Sequence, residues 1–177
     1  MPAQVLRPST SAPALPTPLD LPGLAALTHR YAAEVRAGRH TVVVDPDRRW
    51  YHRLHSDDAV DVWLIAWATE QAAELHDHGS SLGALTVVHG ALIEDRWLPE
   101  RGELRRRRLP AGRSAAFDHG HVHEVSNPAA DAAVSVHAYS PPLTEMSYYA
   151  LDRRDNGTGL VRTRTIRTDK DSTEGIG

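Results

Sequence analysis

The chain has 177 residues, a formal net charge of −3 and no cysteine. This length suits one domain with a buried core, and the near-neutral charge argues against a surface built to bind nucleic acid or a membrane. The missing cysteines exclude disulfides, a thiolate nucleophile and any sulfur-based metal site. No apolar run approaches the ~18 residues of a membrane-spanning helix, and the N-terminus lacks the features of a signal peptide. We therefore expect a cytoplasmic protein without nucleic-acid or membrane partners.

The first part of the chain changes character near residue 20. Residues 1–18 are rich in proline, alanine, serine and threonine, which predicts a flexible tail. From Asp20 onward apolar residues recur at helical spacing, with Pro22 near the start and Gly38 as a plausible end. This pattern predicts one amphipathic helix that packs on the outside of the domain.

After the helix, short segments rich in β-branched and aromatic residues alternate with turn residues, which is typical of an antiparallel sandwich or barrel. The expected β segments cover residues 41–44, 60–68, 84–88, 91–97, 103–109, 114–117, 121–125 and 133–139, with a weaker edge strand at 157–168. Residues 169–177 are expected to form a disordered tail. The sequence therefore predicts one mainly β domain over residues 19–168.

A run of four arginines, Arg105–Arg108, falls on one of these strands. Alternation along a strand places two arginines on each face. We interpret one face as solvated and the other as paired with Asp or Glu, in preference to a phosphate-binding site.

Two histidine-rich segments are the candidates for chemistry. His76 and His78 are two residues apart, so in an extended strand they leave the same face, about 7 Å apart along the backbone. Further along, His119, His121 and His123 form a second group on a β-like stretch. One such pair is weak evidence in a chain with 11 histidines, but two groups together point to a site for a divalent transition metal such as iron, zinc, copper or nickel.

These segments resemble the two motifs of the cupin superfamily, small jelly-roll β-barrels that hold a metal inside. The matching residues are His76-x-His78 with Gly83 and Gly90, and Pro110-x-Gly112 with His123-x-x-x-Asn127. Most cupins have a glutamate ligand where this chain has Gly83, so the resemblance implies three neutral ligands: His76, His78 and His123. His121 is the rival for the third position, but only His123 has the spacing to Asn127.

Within that superfamily, the chain more closely resembles the type I cysteine dioxygenases, over roughly residues 50–149. The most selective part is the run Ser135-Val136-His137-Ala138-Tyr139-Ser140-Pro141-Pro142. That family binds Fe(II) through three histidines and adds both atoms of O₂ to a thiol, which gives a sulfinic acid. The resemblance implies a cupin-type jelly-roll β-barrel with an N-terminal helix, Fe(II) as the cofactor, and a small thiol and O₂ as the partners.

Three side chains of the selective run, Ser135, His137 and Tyr139, alternate along one predicted strand and so share one face. The resemblance implies that the Tyr139 hydroxyl lies near the bound thiol, with His137 holding Tyr139 and Ser135 holding His137. A core tyrosine satisfied by a buried histidine is the alternative. The metal motifs favour the catalytic interpretation.

A substrate carboxylate needs a cation, and the segment Trp50-Tyr51-His52-Arg53-Leu54 resembles the family's carboxylate-binding segment. The resemblance implies that Arg53 binds the carboxylate through two parallel hydrogen bonds, with Tyr51 assisting. The alternative is that Arg53 pairs with Asp57 or Asp58 on the surface.

Animal members of this family carry a cysteine that is crosslinked to the catalytic tyrosine. The matching position here is Gly83, so the resemblance implies an unmodified Tyr139, as in bacterial members. We expect the missing side chain to leave the pocket wider at Gly83.

Three functions remain open. The first is an Fe(II)-dependent dioxygenase that converts L-cysteine to cysteine sulfinic acid, or performs the same chemistry on 3-mercaptopropionate or another small thiol. By resemblance to the family, an arginine at position 53 in place of a glutamine favours cysteine as the substrate. The second is a non-catalytic metal-binding cupin, and the third is a cupin of another class, such as an isomerase with zinc or manganese. By analogy with the family we expect a monomer.

Overall fold

The computed structural model describes residues 17–154 and 157–167. The predicted tails 1–18 and 169–177 lie outside these residues, except for residues 17 and 18. The described part contains a helix, α1 (Leu21–Arg36), and the strands β1 (Trp50–Ser56), β2 (Asp61–Trp67), β3 (Ala72–His76), β4 (Leu82–His89), β5 (Ala91–Leu98), β6 (Glu103–Pro110), β7 (Ser114–Phe117), β8 (His123–Ser126), β9 (Ala133–Ser140), β10 (Glu145–Arg154) and β11 (Gly157–Arg167).

The strands form two antiparallel sheets, which confirms the predicted mainly β class with an N-terminal helix. One sheet has the order β1-β2-β9-β4-β7, and the other has the order β11-β10-β3-β8-β5-β6. Within the described residues, no helix has the length and apolar composition that crossing a membrane requires.

Helix α1 begins and ends as the sequence predicts. The Asp20 carboxylate accepts a hydrogen bond from the Gly23 N–H at 2.8 Å and so caps the first turn. The chain leaves the helix at Gly38, whose φ of +73° suits glycine. The apolar face of α1 packs across the five-stranded sheet through Leu24 and Ala32, both fully buried.

Strand β9 lies in the middle of the five-stranded sheet and divides the core into two layers. Its residues Val134, Val136 and Ala138 pack with the helix. The alternate residues point to the opposite face, between the two sheets, and include Tyr139 in the second apolar cluster. This alternation places the polar side chains of Ser135, His137 and Tyr139 inside the molecule.

One predicted strand is wrong and others were not predicted. Residues 41–44 form no strand, and Val43 and Val44 are 45% and 46% exposed. None of the described strands pairs with this segment, so its apolar residues do not belong to a sheet. Strand β10 was missed because its buried residues, such as Met146 and Tyr148, are confined to its first half and give only a short pattern.

The face of the β6 arginine run that holds Arg106 is solvated as predicted, since this side chain is 73% exposed, but it also carries a pair with Asp95. Arg106 donates to Asp95, with Nη2 2.8 Å from Oδ2, and Arg107 donates to Glu94. The partners are consecutive on β5 because Glu94 stands opposite Arg107 and Asp95 opposite Arg106. Each face of this strand pair therefore carries one carboxylate–guanidinium pair.

Candidate metal centre

Three buried histidines meet between the two sheets. His76 ends β3, His78 lies in the turn that follows, and His123 opens β8. Their ring centroids are 4.8 to 5.1 Å apart, and one ligand nitrogen of each lies within 4.8 Å of the others. The structure thus brings together the three predicted ligands. The strand ends at His76, however, so the turn and not a shared strand face brings in His78.

The hydrogen bonds of these rings leave nitrogens available for a metal. His76 donates from Nδ1 to the Glu74 carbonyl at 2.6 Å, and His123 donates from Nδ1 to Glu94 at 2.9 Å. Because both partners only accept, these contacts leave each Nε2 with a free lone pair. The Nε2 of His78 is buried and has no hydrogen-bond partner among the described residues. Such an atom costs about 1–3 kcal/mol unless a ligand satisfies it, so the donor set fits a metal ion.

Burial keeps all three imidazoles neutral. Removal from water is the main cause that lowers the pKa of His76, His78 and His123, and the neighbouring histidines lower each pKa further. A neutral imidazole is the form that binds a metal. Three such donors without a carboxylate suit the transition metals that favour nitrogen ligands.

A buried carboxylate, which the sequence analysis missed, orients His123. Glu94 is fully buried and accepts hydrogen bonds from His123 Nδ1, from His121 Nε2 at 3.0 Å and from Arg107. Burial alone would raise the pKa of this carboxyl, but the three donors outweigh it and lower the pKa far below its usual value. Glu94 is therefore a charged anchor that fixes the ring of His123.

The same contacts define the position of His121, the rival ligand. Glu94, His121 and His123 form a second group whose ligand atoms lie within 4.8 Å of one another. His121, however, directs its Nε2 to the Glu94 carboxylate. We therefore interpret His121 as a second support for Glu94.

The alternating residues of β9 form a hydrogen-bonded row beside the histidines. Ser135 Oγ lies 2.9 Å from His137 Nε2, and His137 Nδ1 lies 3.3 Å from the Tyr139 hydroxyl. The Tyr139 ring is 5.0 Å from the ring of His78. The structure thus places the three predicted catalytic residues in one row that reaches the metal ligands.

The hydrogen bond from Trp67 indicates which groups donate and which accept along this row. The indole N–H of Trp67 can only donate, and it donates to Ser135 Oγ at 2.9 Å. His137 Nε2 is the other described partner of the Ser135 hydroxyl, so we infer that Ser135 donates to it and that His137, protonated on Nδ1, donates to the Tyr139 oxygen. The phenol proton of Tyr139 is consequently free to point towards the cavity.

Burial also sets the protonation of this row. It lowers the pKa of His137 to about 3, and electrostatic repulsion by His123, if protonated, and by Arg49 acts in the same direction. It raises the pKa of Tyr139 well above the usual value, and the charge of Asp61 adds to this effect. At neutral pH the row therefore contains a neutral imidazole and a protonated phenol.

Arg53 and Tyr51, the predicted carboxylate-binding residues, lie against Trp63. The Arg53 guanidinium is 5.4 Å from the centre of the Trp63 ring, and the Tyr51 ring meets it edge-on at 6.0 Å. The small cavity beside the metal ligands is lined by His76, His123, His137, Tyr139 and, as its cation, Arg49. Of the surface partners considered for Arg53, Asp57 contacts His55 at 3.0 Å.

The Arg53 charge acts on Asp61, a buried carboxyl at the start of β2. Burial raises the pKa of Asp61 to about 6, although Trp63, Leu143 and Arg53 oppose the shift. Asp61 Oδ2 accepts from Trp63 Nε1 at 2.9 Å, whereas Oδ1 has no partner among the described residues. The ionised form is therefore destabilised in the folded protein.

Replacing Asp61 with asparagine is expected to stabilise the protein at neutral pH, because an amide keeps an acceptor for Trp63 without a charge. The unfolded carboxyl ionises near pH 4 and the folded one near pH 6, so the wild type loses about 3 kcal/mol relative to D61N as pH rises between these values. Urea unfolding of both proteins from pH 4 to pH 8 measures this difference. A difference that does not vary with pH contradicts the expectation.

The space opposite Gly83 is filled, so the expectation of a wider pocket there is wrong. Gly83 pairs with Phe117 on one side and with Tyr139 on the other. A Cβ at this position would lie 2.8 Å from a Phe117 ring atom and 2.9 Å from a Tyr139 ring atom. The two rings close over the glycine, and they leave no room for a glutamate ligand or a crosslinking cysteine.

We therefore expect Gly83→Ala to lower stability by about 1–3 kcal/mol, the usual cost of overpacking a core, and to lower kcat by displacing Tyr139. Thermal unfolding and steady-state kinetics measure the two effects. Gly159→Ala is the matched control, because a Cβ there meets nothing within 4 Å. Wild-type stability in G83A would contradict the described packing.

An antiparallel barrel with three neutral histidines inside defines this protein as a cupin. Solved structures with TM-scores of 0.50 to 0.51 support the fold. The protein TT1209 of Thermus thermophilus matches with a TM-score of 0.50 and 19% identity over 56% of this chain and 90% of that chain. A Klebsiella pneumoniae protein with a double-stranded β-helix domain matches with a TM-score of 0.50 and 18% identity over 56% of this chain and 78% of that chain. An oxalate oxidase matches with a TM-score of 0.51 and 16% identity over 64% and 61%.

The chain belongs to the cysteine dioxygenase type I family, whose sequence model matches residues 18–154, well over half of the chain. This match confirms the resemblance drawn from the histidine motifs and the β9 run. It makes the protein a dioxygenase-type oxidoreductase with a metal centre.

Proposed function

We propose that this chain is an Fe(II)-dependent thiol dioxygenase that converts L-cysteine and O₂ to cysteine sulfinic acid. The observation that carries the proposal is a cluster of three neutral imidazoles, two of which, His76 and His123, line one cavity together with Tyr139. A cupin that only bound a metal would have no need of the Ser135-His137-Tyr139 row. Membership of the family supports the reaction class.

In this proposal His76, His78 and His123 hold the iron through their free ring nitrogens. Iron bound there would bring the thiol and O₂ together, so that proximity replaces a free collision. The three ligands bring no negative charge to the centre. They therefore favour a substrate that binds as a thiolate, since its charge compensates that of the metal.

The protein's own proton chemistry is assigned to Tyr139. Its high pKa keeps the phenol protonated at neutral pH, and accepting a hydrogen bond from His137 Nδ1, 3.3 Å away, would leave its proton for the substrate. Tyr139 thus donates a hydrogen bond to the reacting group and does not act as a base. His137 and Ser135 position it.

The experiment that tests this function is product analysis after aerobic incubation of the Fe(II)-loaded protein with L-cysteine. Mass spectrometry is expected to show a gain of two oxygen atoms, both labelled when ¹⁸O₂ is used. Parallel incubations with 3-mercaptopropionate and cysteamine define the substrate, and His78→Ala is the inactive control. No O₂ uptake with any thiol after reconstitution would leave the non-catalytic cupin as the better explanation.

A further inference from the structure

A second cleft lies between two hairpins and is separate from the metal cavity. The β5–β6 hairpin contributes Trp97 and Leu104, which stand opposite each other in that strand pair. The β10–β11 hairpin contributes Leu151 and the opposed pair Arg153 and Thr158. The cleft has a volume of about 290 Å³, and none of its described lining residues lines the metal cavity. It is therefore a candidate for a second binding site.

A close contact between the two hairpins bounds the cleft at one end. Gly102 lies in the turn of the β5–β6 hairpin with a φ of +62°, a conformation that suits glycine. A Cβ at this position would lie 2.9 Å from the carbonyl oxygen of Thr158. Any side chain there would push the hairpins apart, so the glycine lets backbone meet backbone and close this end of the cleft.

The cleft has an apolar floor that is only partly covered. Trp97 is 9% exposed and packs with Leu75 and Val122 in a third apolar cluster, against which Leu104 also packs. Leu151, on the facing hairpin, is 36% exposed. An apolar group that entered between Trp97 and Leu151 would remove both surfaces from water, which is favourable.

Two side chains of opposite charge, Glu103 and Arg153, also line the cleft. Glu103 makes one loose ion pair, with Arg101 at 3.7 Å. Arg153 has no hydrogen bond or ion pair within residues 17–154 and 157–167, whereas the next residue, Arg154, is paired with Asp152. The cleft thus presents both an anion and an unpaired cation to a ligand that lies on its apolar floor.

We propose that this cleft binds a free amino acid with a large apolar side chain. Arg153 holds the α-carboxylate, for which a guanidinium offers two parallel donors. Glu103 accepts hydrogen bonds from the ammonium group, and the apolar side chain lies on Trp97 and Leu151. A fatty acid would leave Glu103 without a partner, and a simple amine would meet the charge of Arg153.

The size of the cleft agrees with this ligand class. Its volume of about 290 Å³ lies at the lower end for small-molecule sites, so it suits an amino acid better than a cofactor. The proposed ligand site shares no residue with the metal centre, and its test needs neither metal nor turnover.

The test is a titration of the folded protein followed by NMR, with the Trp97 indole N–H signal assigned by triple-resonance spectroscopy. L-Phenylalanine is expected to shift this signal saturably. Two analogues each lack one charge: 3-phenylpropanoate has no ammonium group, and 2-phenylethylamine has no carboxylate. Both are expected to bind about fivefold more weakly or worse, the worth of one exposed ion pair. The absence of a saturable shift with L-phenylalanine, or equal affinity for all three compounds, overturns the proposal.

Two exposed substitutions test the charges separately. Arg153→Gln is expected to remove the preference for L-phenylalanine over 2-phenylethylamine, and Glu103→Gln the preference over 3-phenylpropanoate. Arg154→Gln is the matched control, because the Arg154 guanidinium is paired with Asp152 and does not line the cleft. Its affinity for L-phenylalanine should equal that of the wild type. Wild-type affinity in either R153Q or E103Q, or an equal loss in R154Q, contradicts the assignment.

Discussion

Replacing Glu94 with glutamine is expected to weaken metal binding by about 10- to 100-fold, the usual effect of losing a carboxylate that supports a metal-binding histidine. Three donors converge on this carboxylate, from His121, His123 and Arg107. An amide offers one oxygen and two further N–H groups, so at least one donor would face another donor. His123 would lose its fixed ring orientation, and Arg107 would lose its counterion.

Competition with a chelator, followed by metal analysis, measures this loss, and the Fe(II)-dependent rate is expected to fall with metal content. Asp95→Asn is the matched control, because Asp95 is the next residue of β5 and also pairs with an arginine, yet lies on the other face. Full removal of the side chain in Glu94→Ala is expected to cost about 1–3 kcal/mol of stability for each buried donor left without an acceptor, namely those of His121 and His123. Wild-type metal affinity in E94Q would show that His123 needs no anchor.

The sequence predicted the residues whose role follows from local spacing. Alternation along β9 put Ser135, His137 and Tyr139 on one face without knowledge of the neighbouring strands. His76 and His78 are close in the chain, so even the wrong expectation of a shared strand face named two histidines whose rings lie 4.9 Å apart. The predicted proximity of the two rings therefore held, although the predicted strand was wrong.

The residues that the sequence did not predict depend on pairing between distant strands. Glu94 supports His123 because β5 lies next to β8, where Glu94 stands opposite Val125. Gly83 faces no open space because β7 places Phe117 beside it. Arg49 reaches the cavity from a loop before β1, where no periodic pattern reports the direction of a side chain. Buried polar residues of this kind become visible only when the sheet register is known.

The residues of the row along β9 are expected to depend on one another, so that replacing either Ser135 or Tyr139 lowers kcat. Tyr139→Phe should lower kcat by about 100-fold, the lower end of the effect of a positioned proton donor, with little change in metal content. Ser135→Ala removes the proton that Ser135 gives to His137 Nε2, which frees His137 to carry its proton on Nε2 and to accept from Tyr139. The phenol proton then turns away from the cavity, and kcat should fall by about tenfold or more.

The decisive measurement is a double-mutant cycle, because the two changes act through the same proton. If Ser135 works only by directing Tyr139, the double variant S135A/Y139F should have the kcat of Y139F alone. Independent effects would multiply and would show that Ser135 contributes in another way. Ser147→Ala is the matched control, since Ser147 is a buried serine whose hydroxyl contacts Thr165 at 3.0 Å, outside the row. Its kcat should stay at the wild-type value, because loss of a buried hydroxyl by itself does not reorient the phenol proton.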